Sequence, residues 1–148
     1  MIMPESMQTN KNSKPKPRKV IIKVMTTESA TDDVFAFFEN VKNMETGGVL
    51  KSVIKSDDGW WLFETPSGKA KIKTRPFKEL GILDHTFIAG DLEWNVFVRI
   101  IPNEKGSTTT WTFIRPDNLS DEQFEQQLKM FDLEISGWKN ALEQMNKA

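Results

Sequence analysis

Residues 120–145 read SDEQFEQQLKMFDLEISGWKNALEQM, a stretch in which apolar side chains recur every three or four residues. This spacing predicts one long amphipathic helix that packs a single apolar face against the rest of the protein. Ser120 and Gln123 have the spacing of a capping box, so the helix is expected to begin directly after Ser120. The predicted apolar face comprises Phe124, Leu128, Phe131, Ile135, Trp138, Leu142 and Met145.

The residues before this helix predict a series of strands. The run KAKIKT at 69–74 alternates strictly, so Ala70 and Ile72 are expected to face a core while the lysines face water. The pair Asp58-Gly59 tolerates the positive φ of a tight hairpin turn. Seven candidate strands result, at 19–27, 51–56, 60–65, 69–74, 82–89, 93–101 and 108–115.

A shorter helix is predicted at 31–43, between the first two strands. Ser29 or Thr31 would cap it, and two aspartates lie in its first turn, where the helix dipole favours acidic groups. The adjacent Gly47 and Gly48 predict a turn or helical kink at 44–49. The stripe expected to pack on the sheet is Val34, Phe35, Phe38 and Val41.

This order of elements predicts an α+β protein in which a curved antiparallel sheet of seven strands wraps around the long C-terminal helix. A coiled-coil seam has a similar apolar repeat, but the bulky Phe and Trp residues and the preceding strands favour a core helix. The 148 residues suit one domain, assigned to 19–148. Residues 1–18, rich in Lys, Asn, Ser and Pro, are predicted to form a disordered basic tail.

The composition excludes several classes of function. The sequence has no cysteine, which rules out disulfides and thiolate chemistry. The net charge of the whole chain is −1 although the tail is basic, so the remaining residues are acidic and do not suggest a nucleic-acid binder. The N-terminus has no apolar run long enough for a secretory signal, and no later segment suits a membrane span. We therefore expect a cytoplasmic protein, either a monomer or a homodimer.

Four strings occur in this order along the chain: LGILDH at 80–85, VRIIPN at 98–103, TFIRP at 112–116 and SDEQF at 120–124. Together they resemble the SRPBCC superfamily, also called START-like or polyketide-cyclase-like, and a bacterial, cyclase-like branch of it in particular. The resemblance covers about residues 20–142 and implies the helix-grip fold. It also implies a cavity between sheet and C-terminal helix that takes apolar or aromatic small molecules such as lipids, sterols or polyketides. A minority of members are cyclases, dehydratases or hydrolases, and one related branch activates a chaperone ATPase.

His85 is the candidate catalytic residue, because the alternation of Leu83, His85 and Phe87 suggests that it faces inward. A histidine hydrogen-bonded within the sheet is the other interpretation. Arg115 is predicted either to turn inward, where it could hold a carboxylate, or to lie solvated at its strand end. Asp84 beside His85 points to the opposite face, so neither a metal nor another cofactor is expected.

Aromatic residues are the other candidates for a ligand-binding site. The sequence has five Trp and ten Phe but no Tyr, and several of these rings lie at strand or helix spacing. They could line a cavity for a flat apolar ligand or form ordinary core. The predicted ligand-binding set is Trp61, His85, Trp94, Trp111, Phe113, Arg115, Phe131 and Trp138.

Three functions remain open from the sequence. The first is binding of an apolar or aromatic small molecule, which predicts an apolar cavity with one or two polar groups. The second is a cyclase or dehydratase that uses His85 as general acid-base, with Arg115 steadying an anionic substrate. The third is a protein-interaction module such as a chaperone co-factor, which predicts an interior filled by the protein's own aromatic residues and an exposed apolar patch, for which Trp60 is a candidate.

Overall fold

The computed structural model describes residues 16–147, which form one antiparallel sheet of seven strands and two α-helices. The strands follow one another across the sheet in the order β1-β7-β6-β5-β4-β3-β2, so β1 and β2 are its edges. The elements are β1 (Val20–Thr27), α1 (Thr31–Glu39), a 3-10 helix (Val41–Gly47), β2 (Lys51–Lys55), β3 (Trp61–Thr65), β4 (Gly68–Phe77), a 3-10 turn (Lys78–Leu80), β5 (Ile82–Ala89), β6 (Leu92–Asn103), β7 (Gly106–Ile114) and α2 (Asp121–Lys147).

The architecture predicted from the sequence is confirmed: a curved antiparallel sheet grips the long C-terminal helix α2. The core consists of the inward-facing half of the strand residues, α1 and the apolar face of α2. In β6 and β7, buried residues alternate regularly with more exposed ones, as expected of a sheet with one covered face.

The capping box that begins α2 is also confirmed. The Ser120 backbone N–H donates to Gln123 Oε1 at 2.9 Å, and the Gln123 backbone N–H donates to Ser120 Oγ at 3.1 Å. Of the predicted apolar face, Phe124, Leu128, Trp138 and Leu142 are buried, while Phe131 and Ile135 are partly buried. The prediction is wrong for Met145, which is 60% exposed because the buried face ends at Leu142.

The first helix differs from its prediction at both ends. Neither Ser29 nor Thr31 caps α1; the N-cap is Ala30, which makes no side-chain cap hydrogen bond. Ser29 is buried, and its carbonyl accepts a hydrogen bond from Ser107 Oγ. The helix ends at Glu39 rather than at residue 43, because Asn40 leaves helical geometry and its side chain accepts the Lys42 backbone N–H of the following 3-10 helix.

Strand β4 runs three residues further than predicted, to Phe77. The extension includes Pro76, although proline lacks the N–H that a central strand needs. Strand β3, however, pairs only with Gly68–Ile72, so at Pro76 the side of β4 away from β5 has no neighbour in the sheet. At such a local edge the missing N–H costs no ladder bond.

The predicted basic tail lies largely outside the described residues. Of its described part, Arg18 forms an ion pair with Asp117, just after β7. The next residue, Lys19, pairs with Glu125 of α2. These exposed pairs attach the start of β1 to the segment after β7 and to the beginning of α2, and they add little to stability individually.

Two glycines let α2 cross the 3-10 helix at close range. A Cβ on Gly137 would lie 2.5 Å from the Thr46 carbonyl oxygen and 2.8 Å from Gly47 Cα. A Cβ on Gly47 would lie 2.7 Å from Trp138 Nε1. The two backbones therefore touch where neither residue has room for a side chain.

We expect Gly137→Ala to destabilise the protein by about 1–3 kcal/mol, because the added methyl group forces the two backbones apart. Helix propensity alone predicts the opposite sign, a gain approaching 1 kcal/mol. Asn140→Ala, at an exposed position of the same helix, is the control and should stabilise slightly. Urea denaturation of both variants checks this, and a gain in stability for Gly137→Ala would contradict the close crossing.

Candidate functional site

A pocket of about 560 Å³ lies between the inner face of the sheet and α2. Its volume is within the range usual for small-molecule sites. Apolar side chains dominate its wall, and they come from β4, β5, β6, β7 and α2 together with the segment that follows the 3-10 helix. The main apolar lining residues are Leu50, Ile72, Phe87, Trp94, Val96, Phe113, Leu128, Met130 and Phe131.

The sheet side of the pocket follows from strand alternation and register. On β5, His85 and Phe87 point to the same face, two residues apart. His85 is paired with Thr74 on β4 and with Val96 on β6, whereas Phe87 is paired with Ile72 and Trp94. These cross-strand rows bring side chains from three strands onto one continuous wall.

The imidazole of His85 is uncharged at neutral pH. Burial is the main cause: it lowers the pKa of His85 to about 4, and the nearby positive charge of Arg75 acts in the same direction. Nδ1 lies 3.4 Å from the Leu83 carbonyl oxygen, a long contact. The neighbouring Asp84 has a separate structural role, because its carboxylate accepts the Val98 backbone N–H at 2.8 Å.

Glu134 is a pocket residue that the sequence analysis missed. It lies on α2, lines the pocket and is only 9% exposed. Burial raises the pKa of its carboxyl group to about 8. The sequence does indicate that Glu134 lies on the buried face of the helix, because it follows Phe131 by three residues and precedes Trp138 by four, which is the spacing of the apolar face itself.

Half of the predicted ligand-binding set lines the pocket, and half does not. His85, Trp94, Phe113 and Phe131 contribute to the wall. Trp111 and Trp138 instead lie within the core, where their rings are 5.6 Å apart and Phe131 packs against both. Trp61 is half-buried on β3, away from the pocket, with the Lys55 ammonium group 5.6 Å from its ring.

Arg115 does not reach the pocket. Its Nε lies 2.9 Å from the Asp121 carboxylate, and its guanidinium donates to the Leu119 carbonyl oxygen. These contacts link the end of β7 to the first turn of α2. The predicted combination of His85 with Arg115 around an anionic substrate therefore has no counterpart in this pocket.

Within residues 16–147, no group of three or more His, Asp or Glu side chains is arranged to hold a metal ion. Neither α1 nor α2, the helices of the described chain, combines the length and the apolar character needed to cross a bilayer.

Comparison with solved structures identifies the fold. A START superfamily protein from Mycobacterium smegmatis superposes with a TM-score of 0.67 at 6% identity, over 85% of this chain and 98% of that one. The protein TTHA0849 from Thermus thermophilus gives 0.63 at 9% identity, over 86% and 99%. DynU16, encoded in the dynemicin biosynthetic locus, gives 0.64 at 14% identity, over 86% of this chain and 48% of that one.

The chain thus has the START-like, SRPBCC-type helix-grip fold that its sequence strings suggested. No model of a known protein family matches the sequence. No curated protein matches it either. Identities this low support the fold alone, so the resemblance to a bacterial, cyclase-like branch stays a prediction, and function has to be argued from the pocket.

Proposed function

We propose that the protein binds an apolar or aromatic small molecule in the pocket between the sheet and α2. The observation that carries the proposal is the pocket itself, about 560 Å³ in volume and lined mainly by apolar and aromatic side chains. A few polar groups in a mostly apolar wall are typical of sites that bind small organic ligands. The uncharged state of His85 is consistent with such a ligand, because no fixed charge on that residue has to be desolvated.

A pocket-filling substitution tests this proposal. Ala89 lines the pocket near the end of β5, whereas its neighbour Ile88 points to the other face of the sheet. We expect Ala89→Trp to weaken binding of the neutral fluorescent probe N-phenyl-1-naphthylamine at least tenfold, which is about 1.4 kcal/mol. The control Ile88→Trp should leave the affinity unchanged. Equal affinities for both variants would place the probe elsewhere and contradict the proposal.

A protein-interaction module is the second candidate, favoured by an exposed apolar surface on the outer face of β1, β7 and β6. Trp60, the position first suspected, is half-buried, and the Lys71 ammonium group lies 4.5 Å from its ring. The exposed surface lies at the other edge of the sheet and comprises Val20, Ile22, Val24, Phe97, Ile101 and Ile114. Loss of a co-purifying protein in an Ile22→Lys variant, with probe binding retained, would support this alternative.

A further inference from the structure

Glu134 contributes the acidic group among the residues that line the pocket. Glu134 is buried and borders the pocket, and none of the side-chain hydrogen bonds or ion pairs of residues 16–147 involves it, although its oxygens are not fully enclosed. A bound ligand that removes water from this carboxyl group without giving it a hydrogen bond loses about 1–3 kcal/mol. A ligand that supplies a hydrogen bond to the carboxyl group avoids this cost, so Glu134 can discriminate between ligands with and without a suitable polar group.

The surroundings of Glu134 determine whether its carboxyl group is protonated when a ligand binds. The residues three and four positions before and after it on α2 are Met130, Phe131, Gly137 and Trp138, none of which is charged. The resulting burial raises its pKa to about 8, so the group retains its proton at neutral pH and acts as a hydrogen-bond donor.

The charged and titratable groups of the facing elements do not alter this assignment. On β5 the facing group is His85, which is uncharged at neutral pH. On β4 it is Lys69, which is exposed to water. On the 3-10 helix Lys42 and Glu45 pair with each other at 3.0 Å.

We propose that the pocket selects uncharged apolar ligands that present a hydrogen-bond-accepting oxygen, such as a ketone oxygen, to the carboxyl group of Glu134. This inference rests on the proposed function and names its ligand class. A cationic amine fits the site less well, because the amine and the carboxylate would both have to be desolvated to form a buried ion pair. A hydrocarbon fits less well too, because it leaves the Glu134 group unpartnered.

Three probes of nearly equal shape test the inference: 2-acetylnaphthalene, which has a ketone oxygen, 2-isopropylnaphthalene, which has no polar group, and 1-(2-naphthyl)ethylamine, which is cationic. Their affinities are measured by NMR titration of the full chain at pH 7. We expect Glu134→Leu to weaken binding of the ketone about tenfold and to leave the hydrocarbon unchanged or tighter bound. Glu134→Gln, which keeps a donor, should largely restore ketone binding.

The same substitution at Glu143, nine residues further along α2 and so on its opposite face, is the control. Glu143→Leu should leave all three affinities unchanged. In the wild type, ketone binding should also weaken as the pH rises above about 8, where Glu134 loses its proton, while hydrocarbon binding stays constant.

Two results would overturn the inference while leaving the pocket as a binding site. One is an equal effect of Glu134→Leu on ketone and hydrocarbon; the other is a loss of affinity confined to the amine. Failure of the wild type to bind any of the three probes would instead overturn the proposed function, and the inference with it. The experiment therefore separates the two failures.

Discussion

Replacing Glu134 with glutamine should make the protein progressively more stable than the wild type as the pH rises from 5 to 8. An unfolded glutamate releases its proton near pH 4.3, whereas burial raises the pKa of Glu134 in the folded protein to about 8. Between these values the folded state holds a proton that the unfolded state has lost. The free energy of unfolding of the wild type therefore falls by up to about 1.4 kcal/mol per pH unit through this window.

Glutamine has the shape of the protonated carboxyl group but cannot ionise. The difference in stability between Glu134→Gln and the wild type should therefore grow in favour of the variant by about 3 kcal/mol from pH 5 to pH 8. His85 acts in the opposite direction: its lowered pKa reduces stability as the pH falls from 6.5 towards 4. Both proteins contain His85, so its contribution cancels in the difference.

Urea denaturation at pH 5, 6.5 and 8 measures this difference directly. Glu143→Gln is the matched control, and its stability should stay parallel to that of the wild type. A constant difference between Glu134→Gln and the wild type would mean that the Glu134 carboxyl group is already ionised at neutral pH. The donor role assigned to it would then be wrong.

Trp138→Ala should destabilise the protein by about 3–5 kcal/mol, the range expected when a large aromatic residue is removed from a core. Trp138 is fully buried, and its ring packs edge-on against Phe38 and Phe131. Its Nε1–H donates to the Met44 carbonyl oxygen at 3.0 Å, which fixes α2 to the 3-10 helix. Its loss therefore removes packing and a buried hydrogen bond together.

A milder substitution and a control separate these contributions. Trp138→Phe keeps much of the packing but leaves the Met44 carbonyl without its donor, and should cost about 1–3 kcal/mol. Trp60→Ala, which removes the same side chain from a half-buried position just before β3, should cost less than Trp138→Ala. Equal losses for the two tryptophans in urea denaturation would contradict the central position assigned to Trp138.

The architecture followed from the sequence because its signals are local. The periodicity of residues 124–142 determines which face of α2 is buried, and the Ser120–Gln123 capping box marks where the helix begins. Strict alternation, as in β4, likewise sets the inner face of a strand. The limits of α1 were less predictable, because they depend on the turn at Asn40 and on tertiary contacts of Ser29.

The site was less predictable, because the sequence shows which way a side chain points but not what it meets. Trp94 and Trp111 both point inward, yet only Trp94 borders the pocket. Strand alternation does not predict the direction of the Arg115 side chain, because β7 ends at Ile114 and Arg115 lies outside the strand. The burial of Glu134 depends on the close approach of Gly47, whose added Cβ would lie 3.1 Å from Glu134 Cα, a long-range contact that helix periodicity does not report.

Methyl-labelled NMR during titration with N-phenyl-1-naphthylamine tests most directly whether the pocket holds an apolar molecule. We expect the largest shift changes at the methyl groups of Ile72, Val96 and Leu128, which line the pocket. The methyl groups of Ile22, Val24 and Ile101 on the outer face should stay unchanged. Changes confined to that outer face, or no saturable change at any methyl group, would contradict binding of an apolar molecule in the pocket.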